Sequence, residues 1–158
     1  MIRIGVDMVE IGRLARLVRK SPTFAQQTFS STELGAADLL PGRRQEEYLA
    51  GRFAVKEAAL KALGVGLAKN LRLTDIETVT LSSGAPRLAL RGKVSELAKR
   101  GGVCELHVSI SHERGFAVAF VVLLSAIKSV GPRSYPLSLI RAMSSRSDTK
   151  NTIARMSS

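Results

Sequence analysis

RFAVKEAALKALG, residues 52–64, is the stretch whose reading decides the fold. It closes on Gly64, a residue suited to stopping a helix in a left-handed conformation. Worked outward, the helix starts near Arg43, after the Pro41-Gly42 break, and turns Leu49, Phe53, Leu60 and Leu63 toward a core. At about 3.6 residues per turn, Phe53, Glu57 and Lys61 share one stripe, and Arg52 and Lys56 form a second about 100° away. One face can thus hold an acid and a base together while its flank meets an anion. A solvated helix with a Glu–Lys pair at i, i+4 gives the same spacing, so the stretch needs support from elsewhere in the chain.

Toward the N-terminus, residues 2–9 alternate, with Ile2, Ile4, Val6 and Met8 on one side and Arg3, Gly5, Asp7 and Val9 on the other. This pattern predicts a half-buried strand, from which Asp7 leaves on the side away from the apolar stripe. From Glu10 the period becomes helical, with Ile11, Leu14, Leu17 and Val18 apolar and Arg13, Arg16 and Lys20 recurring along another side. Glu10 suits the positive N-terminal end of that helix, and a third metal contact is the alternative. Ser21-Pro22 marks a stop and restart, and Ser30 with Glu33 has capping-box spacing.

Beyond Gly64, residues 75–81 and 87–90 read as a hairpin around SSGAP, with Gly84 available for a positive φ. Residues 93–100 suggest a short helix ended by Gly101 and Gly102. CELHVSIS and FAVAFVVLL then read as two strands joined by an HERG turn. In the first of these, Leu106, Val108 and Ile110 point one way and His107, Ser109 and Ser111 the other. The polar row fits either a solvent-facing sheet side or a binding surface.

At 158 residues with 45% apolar content, the chain suits one globular domain. Seven aromatics and no Trp give little material for stacking on single-stranded nucleic acid. No apolar run is long enough for a bilayer and the N-terminus lacks signal-peptide order, so no membrane role and a cytoplasmic address are expected. The single Cys104 excludes an internal disulfide and reads as a reduced, buried thiol. The net charge of +11 is unevenly spread: residues 126–158 hold 6 basic residues against 1 acidic, the rest 18 against 12. We read 1–125 as the folded domain and 126–158 as a basic, Ser-rich, mostly disordered extension, with a short helix possible at 137–143. The basic domain calls for an acidic partner or a phosphorylated ligand.

Asp7, Glu57 with Lys61, and SISH ending at His112 are thus three separated pieces of one candidate site. Two carboxylates without a Cys or His cluster suit a hard cation such as Mg²⁺, which keeps waters and takes phosphate oxygens. Nearby Arg and Lys would bind the remaining phosphate charge, pointing to phosphoryl-type chemistry.

In GVDMVEIGR at 5–13, GRFAVKEAALKALG at 51–64 and HVSISH at 107–112, in this order, the chain resembles the holo-acyl-carrier-protein synthase family of small 4′-phosphopantetheinyl transferases. The resemblance covers roughly residues 1–124; no Walker A run, GxGxxG pattern or GxSxG elbow competes with it. It implies an α+β fold of the short single-unit type, a small antiparallel sheet packed against a long helix. It also implies transfer of phosphopantetheine from coenzyme A to a serine of apo acyl carrier protein, in fatty acid biosynthesis, by a homotrimer with sites between subunits.

Residue by residue, the resemblance makes Asp7 and Glu57 the Mg²⁺ ligands and Lys61 the neutraliser of developing phosphate charge. Arg52, Lys56, Gly64, Ser111 and His112 fall to coenzyme A, with bracing of the strand turn as the alternative for His112. The proton of the carrier serine goes to Glu57 or to a metal-bound water. Arg13, Arg16 and Lys20 become the docking face for an acidic carrier, against a plain solvated face. Two other functions compete: a non-enzymatic basic nucleic-acid binder, in which Asp7 and Glu57 would repel phosphate, and the same chemistry on a polyketide or peptide-synthesis carrier.

Overall fold

The computed structural model describes residues 1–66 and 70–126; the expectations for the C-terminal extension, including a helix at 137–143, lie outside them. In chain order the elements are β1 (Ile2–Glu10), α1 (Ile11–Lys20), α2 (Pro22–Thr28), α3 (Ser31–Asp38) and α4 (Gly42–Leu63). A 3₁₀ turn (Leu73–Asp75) follows, then β2 (Ile76–Thr80), β3 (Pro86–Leu90), α5 (Gly92–Arg100), β4 (Val103–Glu113) and β5 (Phe116–Ser125). The fold is α+β, as the sequence predicts, with an antiparallel sheet in the order β1-β5-β4 and a separate β2-β3 hairpin.

Local chemistry sets the boundaries. The Ser21 side chain accepts from the Phe24 N–H at 3.1 Å with Pro22 opening α2, and Ser30 and Glu33 close a reciprocal capping box on α3. Gly64 ends α4 at φ 73°. The turn between β4 and β5 places Arg114 and Gly115 at φ 45° and 87°, the two-residue hairpin geometry that matches strand twist. Met1 and Ser125 exchange hydrogen bonds of 2.9 Å in both directions, so the first strand is closed onto the last.

Helix α4 is buried around most of its circumference, including Leu49, Ala54, Val55, Ala58, Ala59, Leu60 and Leu63. It is a core helix rather than a solvated one. One side packs on Ala119, Val121 and Leu123 of β5, another on Ile76 and Leu88 of the hairpin. Phe53, read from the sequence as core, is only partly buried.

The apolar stripe of β1 faces outward, with Ile2, Ile4 and Met8 more than 60% exposed. It is the Gly5 side, carrying Asp7, that meets α4, because glycine alone lets the strand approach the helix backbone this closely. Cys104 is exposed rather than buried, its thiol donating to the Leu124 carbonyl at 3.3 Å; a register shift between Val103 and Glu105 turns it out of the core.

Candidate active site

Asp7 projects from the inner side of β1 onto α4. Its Oδ1 lies 2.7 Å from the Lys61 ammonium, which also donates to the Val6 carbonyl at 3.0 Å. Glu57 stands one helical turn before Lys61, on the same stripe. Burial pushes the Glu57 carboxyl above the usual carboxylate range, the Asp7 charge pushes it the same way, and Lys61 only partly offsets them. The structure therefore brings together Asp7, Glu57 and Lys61 from two elements far apart in the chain.

Both carboxylates line a cavity of about 750 Å³ between the end of β1, α1, α2 and α4. Leu14, Leu17, Phe24 and Phe53 add an apolar wall to it, and Arg13 also lines it. Charged and apolar lining in one cleft suits a ligand with a phosphorylated head and a less polar arm. Sequence reasoning missed this wall; the signal was the recurrence of Leu14 and Leu17 on the helix that follows Asp7.

Among the described residues no three His, Cys, Asp or Glu side chains gather as a metal cage. Asp7 and Glu57 alone could hold a hard cation, and two oxygen donors fit Mg²⁺, which retains water and takes phosphate oxygens for the rest of its shell. Glu57 is raised chiefly by burial and further by the neighbouring Asp7 charge, and a divalent cation would relieve that second, like-charge contribution.

The residues expected to hold the nucleotide do not gather at one surface. Lys56 is fully buried, its ammonium 2.7 Å from Glu33. That corrects its assignment: no ligand reaches it, because α3 and β2 cover that side of α4. Arg52 is 7% exposed, stacked 4.0 Å over the Tyr48 ring, with its Nη2 donating to Thr80 Oγ1 at 2.6 Å. It too turns toward β2, away from the cavity. Gly64 is exposed at the end of α4, beyond Lys61.

Ser111 and His112 alternate along β4 and leave opposite faces of the sheet. His112 Nε2 donates to the Glu47 carbonyl at 3.1 Å and lies against Gly51, so it braces the end of β4 on α4, the alternative role read from the sequence. Its row crosses Ala117 and Val9, which places it two strands from β1, about 10 Å away. Ser111 is exposed with His107 and Ser109 on the outer face. Arg13, Arg16 and Lys20 are all exposed along one side of α1; Arg16 sits 3.9 Å from Glu10, which lines the cavity mouth.

Comparison with known proteins places this geometry. The 4′-phosphopantetheinyl transferase superfamily profile matches residues 3–121. The chain is 45% identical over 124 residues to a holo-[acyl-carrier-protein] synthase of Desulfovibrio desulfuricans, an alignment covering 78% of this chain and 97% of that one. A solved holo-(acyl-carrier-protein) synthase of Bacillus anthracis, in complex with CoA (3′,5′-ADP), superposes with a TM-score of 0.66 at 36% identity, over 78% of this chain and 96% of that one. The Helicobacter pylori holo-[acyl-carrier-protein] synthase in complex with coenzyme A gives 0.66 at 34%, over 77% and 99%. With the acid–base cluster on β1 and α4 inside the matched span, the chain belongs to the 4′-phosphopantetheinyl transferase superfamily, alongside its holo-[acyl-carrier-protein] synthases.

Proposed function

We propose that this protein transfers the 4′-phosphopantetheine group of coenzyme A to a serine hydroxyl of apo acyl carrier protein, in the cytoplasm and in the service of fatty acid synthesis. The observation that carries the reading is the pairing of Asp7 and Glu57 in the lining of a cleft that also has apolar side chains, with Lys61 bonded to Asp7 beside it. The serine oxygen attacks the phosphorus that bears pantetheine. A new P–O bond forms there as the bond to the bridging oxygen breaks, and adenosine 3′,5′-bisphosphate leaves with that oxygen.

Asp7 and Glu57 would hold Mg²⁺, which when bound supplies charge withdrawal from the attacked phosphorus and the leaving phosphate. Lys61, already drawn to Asp7, is placed to neutralise phosphate oxygens as charge builds on them. Glu57, lining the cleft beside Asp7, takes the serine proton, directly or through one water. The apolar wall packs the pantetheine arm and keeps bulk water from competing with the serine. The exposed stripe of Arg13, Arg16 and Lys20 receives the acidic carrier beside this cleft.

We also infer a homotrimer with coenzyme A bound between subunits. The outer sheet face supports it: Ile2, Ile4, Val6 and Met8 of β1 and Phe116 and Phe120 of β5 form a contiguous apolar surface, bordered by the polar row of β4. Ser111 lies in that row, where a ligand seated across a subunit boundary would meet it.

The deciding experiment is the mass of apo acyl carrier protein after incubation with coenzyme A and Mg²⁺. A gain of one phosphopantetheine that EDTA abolishes, and that Asp7→Asn and Glu57→Gln each abolish, is the expected result. No gain across several carriers would refute the activity; a gain untouched by EDTA would refute the metal.

A further inference from the structure

Lys56 precedes the catalytic Glu57 and is among the most deeply buried side chains in the molecule, yet it makes no contact with the cleft. Its ammonium has three hydrogens and three protein acceptors: Glu33 Oε2 at 2.7 Å, the Leu73 carbonyl at 3.1 Å and the Ile76 carbonyl. Glu33 is equally committed. Its Oε2 also accepts from the Ser30 N–H at 3.0 Å and its Oε1 from the Thr78 N–H at 3.1 Å. One ion pair therefore ties α4 to the start of α3, to the 3₁₀ turn and to β2. Phe29, 1% exposed, closes the site with its ring 5.9 Å from the ammonium.

The need for such a tie follows from the composition of α4. Ala54, Val55, Ala58, Ala59 and Ala62 are all buried, on several sides of the helix at once. Small apolar side chains all round make burial favourable at many rotations of the helix about its axis, and set none of them sharply. Directional bonds to fixed acceptors do. A turn of about 20° would move a carboxylate about 6 Å from the axis by about 2 Å. Misplacement of about 1 Å at a reacting centre costs on the order of a hundredfold in rate.

We propose that Lys56 and Glu33 are positioning residues: their buried pair sets the rotation of α4, and through it holds Glu57 opposite Asp7. This deepens the proposed function and rests on its assignment of Glu57. The pair does not touch substrate; it acts through the residue next to Lys56.

The test compares Lys56→Met and Glu33→Gln with Val94→Ala, a core truncation on α5 away from the cleft. The glutamine keeps the size of Glu33 but has one accepting oxygen where the carboxylate uses two, so it serves if Lys56→Met does not fold. Each variant is assayed below its own melting transition for kcat, for KM toward coenzyme A and carrier, and for Mn²⁺ affinity by electron paramagnetic resonance. Both pair variants are expected to lose about tenfold or more in kcat and in Mn²⁺ affinity, with the carrier KM within about threefold, while Val94→Ala keeps all of them at a comparable melting loss. Folded pair variants with kcat within about twofold of the wild type would overturn the positioning role. If the wild type itself binds no Mn²⁺, the metal assignment falls, and kcat alone decides the positioning.

Discussion

Gly5 and Ala58 lie so close that a β-carbon on Gly5 would stand 1.8 Å from the Ala58 carbonyl oxygen. The neighbour is helix backbone and cannot swing aside, so the contact fixes how near β1 comes to α4 and therefore how far Asp7 stands from Glu57. Gly5→Ala is expected to destabilise the fold by about 3 kcal/mol, at the upper end for overpacking, by forcing strand and helix apart. Transfer activity of the remaining folded protein should fall as well. Thermal melts beside single-turnover assays check both; an alanine variant with wild-type melting would show that the strand moves freely there.

Charge reversal on α1 separates docking from chemistry. Arg13→Glu with Arg16→Glu should raise KM for the carrier by about tenfold or more and leave KM for coenzyme A within about twofold, because both side chains are exposed and only one substrate is a large acidic surface. Steady-state kinetics with each substrate varied in turn decides it, and equal shifts in both constants would remove the helix from carrier recognition.

The outer sheet face offers a direct test of assembly. Phe120 is 49% exposed at its centre and pairs across the strands with Val6 and Ser109. In the proposed trimer, Phe120→Glu should reduce the mass seen by light scattering to that of a single chain and abolish transfer, since charge in the middle of an apolar interface core is not tolerated. A variant that stays trimeric would place the interface elsewhere.

The strained ionisation of Glu57 makes a pH prediction with a definite sign. Its folded pKa lies above the unfolded value, so folding favours the protonated form: the contribution is fully present below the unfolded pKa and is lost as pH rises through the folded one. In metal-free protein, wild type and Glu57→Gln should therefore melt together at about pH 4 and diverge by about pH 7, with the glutamine variant the more stable. Added Mg²⁺ should narrow the gap by stabilising only the wild type. Parallel melting curves across this range would mean that Glu57 is not perturbed by its surroundings.

Boundaries were legible in the chain because local chemistry sets them: Ser21 with Pro22, Ser30 with Glu33, and Gly64 each act within a turn of their own position. The triad of Asp7, Glu57 and Lys61 was legible because helical spacing joins two of its members and motif order supplies the third. Faces were harder. Alternation along β1 separates two sides but does not say which is buried, and the answer lay in Gly5 against Ala58, a contact across the chain. Lys56 shares a helical stripe with Arg52, which suggested a common ligand, yet its partner Glu33 sits on another helix and had already been explained as a cap. A residue with two roles shows only its local one in a linear reading.

The pairing of β1 with β5 has a consequence for synthesis on the ribosome. Among the described residues, the strand that carries Asp7 pairs only with β5, the last of the described strands. At about 5–20 residues per second, β1 is made roughly 6 to 23 s before Phe116–Ser125 is complete. Throughout that interval Ile2, Ile4, Val6 and Met8 lack the neighbouring strand that the fold gives them. The nascent chain thus presents a sticky ribbon that holdase chaperones are suited to shield, and β1 takes its place in the sheet only once β5 has been made.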